Sequence, residues 1–152
     1  MKNFTFHEAL LALHSIVAWA DSKNDDAESD LRIRLKEFEG ITKEEYAIFL
    51  EKWEWLDTKN EIFNLAIEQL NECSYKAKAR ACAWMWKTAI ISSESAAESK
   101  YYSDDKEYYW KTDKNNVSKK EDEWIDKAME KLSVSAEDLN NECGKLPRIK
   151  RI

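Results

Sequence analysis

The stretch Thr5-Phe6-His7-Glu8-Ala9-Leu10-Leu11-Ala12-Leu13-His14-Ser15-Ile16-Val17-Ala18-Trp19-Ala20 decides the fold. Thr5 and Glu8 stand in capping-box spacing, where the hydroxyl and the carboxylate satisfy orphan amides at a helix start. From there to Ala20 the chain is apolar on nearly every side. A helix hydrophobic all round needs neighbours all round, so this one is expected at the centre of a helical bundle. It ends in the polar run Asp21-Ser22-Lys23-Asn24-Asp25-Asp26.

The chain beyond it reads as more helices. A second, from about Ala27 to Glu39, carries Leu31, Leu35 and Phe38 on one face and meets Gly40 as its stop. Thr42 and Glu45 cap a third with Tyr46, Phe49, Leu50 and Trp53 at helical spacing. Thr58 and Glu61 cap a fourth bearing Ile62, Leu65, Ala66 and Leu70. Ser74 opens a long fifth, to about Ile91, with Ala81, Cys82, Met85, Trp86, Ala89 and Ile90 inward. The pattern degrades from Ser92 to Lys114, a segment read as an insertion that holds an aromatic stripe. Ser118 and Glu121 then cap a helix with Trp124, Ile125, Ala128, Met129 and Leu132. Ser135 opens the last, which Gly144 and Pro147 terminate. The expected architecture is a single all-α domain of about seven or eight helices over residues 1–144, followed by a basic tail at 145–152.

Composition narrows the function classes. With 152 residues, two glycines and one proline, the chain has no glycine-rich phosphate loop and too few turn residues for a sandwich or barrel. A net charge of −6 argues against nucleic acid and anionic lipid as partners. No apolar run approaches the length of a membrane span. Three widely spaced cysteines form no CxxC pair and no disulfide framework, which fits reduced thiols and a cytoplasmic location.

Two segments match each other. The first runs Ala20-Asp21, polar loop, Glu28, apolar helix, Ile41-Thr42; the second runs Thr112-Asp113, polar loop, Glu121, apolar helix, Val134-Ser135. Glu28 to Thr42 and Glu121 to Ser135 are both 14 positions (42 − 28 and 135 − 121). Leu31 corresponds to Trp124, Leu35 to Ala128 and Ile41 to Val134. Duplicated helical units commonly pack about a pseudo-twofold, which would bring the two acidic loops together.

In Ala20-Asp21-x6-Glu28 and Asp113-x-Asn115-x-Val117-Ser118-x-x-Glu121 the chain resembles the tellurite-resistance TerB-like family. The resemblance covers the two motifs and their flanks. It implies an all-helical, non-enzymatic stress-response module whose acidic turns hold a divalent cation. Carried over, Asp21 and Glu28 would serve the first turn, with Asp113 and Glu121 in the second. Ser22 and Lys114 stand where the family motif has glycine, and Lys114 sets a cation beside the second group of carboxylates.

From the residues themselves, Asp21, Asp25 and Glu28 with Asn24 and Asp26 form a hard-oxygen cluster that suits calcium or magnesium better than zinc, and the resemblance adds Asp113, Asn115 and Glu121 as a second group. Aspartates at a helix N-terminus also serve as caps and dipole partners with no metal at all. His7 and His14 share a helix face without further zinc ligands and read as packing residues. No catalytic set assembles. Trp53 and Trp55 cannot both point inward from one helix. Together with Tyr101, Tyr109 and Trp110 they are expected to offer an aromatic surface to a protein partner. The rival reading is a metal-independent acidic helical interaction or inhibitor protein, phage- or host-encoded.

Overall fold

A computed structural model describes residues 3–20, 26–56, 58–92 and 119–146. These form seven helices: α1 (Phe6–Ala18), α2 (Asp26–Glu39), α3 (Lys43–Glu54), α4 (Lys59–Leu70), α5 (Tyr75–Ser92), α6 (Lys119–Leu132) and α7 (Ala136–Cys143). The protein is all-helical over the described residues, as its periodicity requires. Helix starts follow the sequence signals. Thr5 and Thr42 form complete capping boxes with Glu8 and Glu45, and the Thr58 and Ser135 hydroxyls accept from the amides of Glu61 and Asp138.

Helix α1 is central. Its residues from Glu8 to Ala18 are all buried, and it packs against α2, α3, α4, α5 and α6. Helix α5 is a second axis, packed on α1, α2, α6 and α7. Trp86, expected inward, and Trp84, two positions before it, are both fully buried. Residues two apart on a helix diverge by about 200°, so both can be covered only when opposite faces of the helix have partners. The Trp84 ring meets Phe38 of α2 edge-on at 6.0 Å, and its indole N–H donates to Glu39 Oε2 at 2.9 Å.

The two repeated segments end their helices in matching turns, while their acidic loops lie outside the described residues. Gly40 and Ser133, both twelve positions after the paired glutamates, adopt left-handed backbones with φ of 73° and 56°. Each closes its helix by the same two hydrogen bonds. Ile41 N donates to Lys36 O (2.8 Å) as Val134 N does to Met129 O (2.9 Å), and Gly40 N to Glu37 O as Ser133 N to Glu130 O, both 3.3 Å. This is the Schellman pattern, which favours glycine at its left-handed position. Only the first copy has glycine there, so Ser133 carries the side-chain penalty of that conformation. Ser133→Gly is therefore expected to stabilise the fold by about 1 kcal/mol and Gly40→Ala to destabilise it by about as much. Urea denaturation of the two variants checks both signs.

The inward face of α3 is narrower than its periodicity suggests. Of Tyr46, Phe49, Leu50 and Trp53, only Phe49 is buried, and Leu50 is 43% exposed. Trp19, expected within the buried central helix, instead caps its C-terminus and is 47% exposed. Each departure has its own cause: α1 ends at Ala18, which turns Trp19 out, and α3 touches the bundle along a thin edge, which leaves Leu50 exposed. At the other end of the chain, Leu146 is a core residue at 4% exposure.

Candidate functional site

The end of α1, the middle of α2 and the length of α3 enclose a cleft of about 90 Å³. Its walls are Trp19 from α1 and Tyr46, Phe49, Leu50 and Trp53 from α3, and Arg32 of α2 is its cation. The aromatic wall is continuous, with Phe49 packed on both Tyr46 (6.3 Å between centroids) and Trp53 (5.7 Å). Lys36, one turn beyond Arg32 on α2, places its ammonium 3.9 Å over the Tyr46 ring.

Behind Arg32 lies a polar relay that crosses three helices. Arg32 Nε donates to His14 Nε2 at 3.1 Å, and His14 Nδ1 stands 2.8 Å from Thr88 Oγ1. The Thr88 hydroxyl in turn donates to the Trp84 carbonyl at 2.8 Å. Because His14 Nε2 accepts from a guanidinium, the ring proton must sit on Nδ1 and point at Thr88. Both ring nitrogens are thus occupied. Complete burial, and secondarily the charge of Arg32, push the imidazole down to about 3, so it is neutral at any physiological pH. The sequence reading of His14 as a packing residue is correct as far as it goes, but its role in anchoring Arg32 has no local signal.

His7 lies elsewhere, with Nδ1 2.8 Å from Glu45 Oε2. Hydrogen bonding from His7, then from the Thr42 amide, holds the Glu45 carboxyl below its ordinary range. Cys82 is buried, and desolvation pushes its thiol up to about 12, far from nucleophile range.

Among the expected partner-binding residues, Trp53 lines the cleft and Trp55 is 73% exposed at the α3 C-cap, so the pair diverges as helical geometry demands. Tyr101, Tyr109 and Trp110 lie outside the described residues. Trp19, Leu50 and Arg32 are the functional candidates that sequence reasoning missed. Comparison with family models, with curated proteins and with solved structures finds no match.

Of the expected metal ligands, Asp21, Asp25, Asp113 and Asn115 also lie outside the described residues. Glu28 is described only by its backbone, in the first turn of α2, and Glu121 is buried at 1% exposure. Among the described residues no three His, Cys, Asp or Glu side chains gather as a metal-binding group. The flanks of the two acidic turns do meet. Ala20, which precedes the first, shares a cleft of about 250 Å³ with Glu123, Trp124 and Lys127 of α6, which follows the second. Lys127 reaches Asn60 Oδ1 at 3.3 Å and lies about 5 Å over the rings of Phe63 and Trp124. Lys59 Nζ donates to the Trp19 carbonyl at 2.7 Å, which ties the end of α1 to the start of α4.

Proposed function

We propose that this chain is a non-enzymatic interaction module that docks a protein partner in the cleft between α1, α2 and α3. The observation that carries the reading is the exposure of Trp19 and Leu50 at the rim of an aromatic-walled cleft. Tryptophan and arginine are the residues most enriched among binding hot spots, and apolar side chains grouped on a surface mark interaction sites. A floor tied by the His14 relay adds rigidity, which lowers the ordering cost of association. Photo-crosslinking from position 50 in the source cells tests this. One defined adduct is expected; it should vanish with Trp19→Ala and be absent from a crosslinker at Tyr75. Trp19→Ala should itself change stability by no more than about 0.5 kcal/mol, as an exposed position does. Equal labelling from both positions would sink the proposal.

The TerB-like resemblance adds a second reading, in which the acidic turns hold calcium or magnesium in a stress-response role. Its support is the convergence of the turn flanks on one cleft and the matched left-handed turns of the repeat. Titration with each cation during thermal melting is the check. A cation at 100 times its dissociation constant should add about 2.7 kcal/mol, and Asp21→Ala with Glu28→Ala should abolish that gain. A melt unmoved by calcium, magnesium or manganese would retire this reading.

A further inference from the structure

Resting on the docking reading above, we infer that the cleft selects an acidic segment of its partner, with one Asp or Glu side chain seated on Arg32. The first ground is charge. The chain carries 30 acidic and 24 basic residues, so its cations have no shortage of carboxylates. Lys52 pairs with Glu8 at 2.7 Å, Arg80 with Glu39 at 3.0 Å and Lys145 with Glu142 at 2.9 Å. Arg32 and Lys36, like most of the other described cations, have no carboxylate within ion-pair distance among the described side chains, and these two sit beside an aromatic-walled cleft. They lie four apart on α2, hence on one face, and both border Tyr46.

The second ground is orientation. A guanidinium is planar, and Arg32 spends its Nε–H on His14. Its two terminal nitrogens remain as a fork, the geometry that grips a carboxylate through two parallel hydrogen bonds. Because His14 is a neutral acceptor, it fixes the fork without cancelling its charge. The third ground is size. A cleft of about 90 Å³ admits a side chain of a few heavy atoms and is well below the 300–1,000 Å³ of typical small-molecule pockets. Leu50 and Trp19 then cover the apolar neighbours of the bound acid.

The test uses pooled nine-residue peptides, acetylated and amidated at their ends, with a fixed central Glu and apolar flanks, against the same pool with central Gln. Indole and arginine Nε–H signals of the full chain report binding by NMR. The Glu pool is expected to bind at least tenfold more tightly, to weaken as salt rises, and to shift the Trp19, Trp53 and Arg32 signals. Arg32→Gln should erase the preference. Leu50→Glu, at an exposed position that leaves the relay intact, should weaken the Glu pool at least tenfold while the melt stays unchanged. Equal binding of both pools would overturn the carboxylate assignment and leave the docking reading standing. Binding of the Glu pool that survives both substitutions would also overturn it. Failure of both pools at 1 mM, together with no adduct from position 50, would remove both proposals.

Discussion

Trp84→Ala is expected to cost about 3–5 kcal/mol, enough to leave a domain of ordinary stability partly unfolded at 25 °C. The side chain is fully buried between α5 and α2, so truncation removes a large apolar surface and opens a cavity. It also removes a donor from Glu39, whose side chain is only 5% exposed. What remains beside that carboxylate is Arg80. Its Nε lies 3.0 Å away, but its N–H is not aimed at the oxygen, so charge attraction acts there without a well-formed hydrogen bond. Trp84→Phe separates the two contributions. It keeps most of the packing and forfeits the hydrogen bond, for an expected loss of about 1.5–3 kcal/mol, as for other hydrogen bonds to charged groups. Urea denaturation with constant m-value is the measurement. A loss under 1 kcal/mol for the alanine variant would show that α2 does not pack on α5 as described.

Acid should destabilise the protein well before its carboxylates titrate, and His14 is the reason. In the unfolded chain this imidazole takes up a proton near pH 6.5; in the fold, burial and Arg32 hold it neutral down to about 3. Between those values the unfolded state binds the extra proton, so stability falls as pH falls, by up to roughly 1.4 kcal/mol per pH unit. The full contribution is present above pH 6.5. Half-buried Asp138 and Glu45, both held below their ordinary ranges, add further loss only at more acidic pH. The Tyr75 hydroxyl, 2.6 Å away, and then Ser135 act on Asp138; His7 and then Thr42 act on Glu45. His14→Gln is the diagnostic variant, since an amide can accept from Arg32 and donate to Thr88 without titrating. Its stability should be flat from pH 6.5 to 5, where the parent loses about one proton's worth of slope. Parallel curves for the two proteins would contradict the neutral, buried assignment.

Most of the helical frame was legible because its signals are local. The hydroxyl-and-carboxylate pairs at Thr5 and Thr42 and the Thr58 hydroxyl cap act within one turn, and the matched spacing of Glu28–Thr42 and Glu121–Ser135 anticipated matched turns. Gly40 was readable as a helix stop. Ser133, its equivalent, was not, because serine does not advertise a left-handed backbone. The aromatic residues were the hardest to place. Trp84, outside the inward face that spacing gives its helix, is core; Trp19, inside a run that reads as buried, stands at the cleft rim. A periodic pattern tells which residues share a face, but not how many faces of a helix its neighbours cover.

The sequence by itself determined the helices of the described residues, most of their starts and the spacing of the repeat, since these follow from hydrogen bonds and side-chain spacing within a few residues. Tertiary structure alone decided that Arg32, His14 and Thr88 form one relay, because His14 lies 18 positions from Arg32 and 74 from Thr88. Only the packing of α1 against α2 and α5 brings those groups within hydrogen-bond reach, and only the end of α1 at Ala18 turns Trp19 out over the cleft.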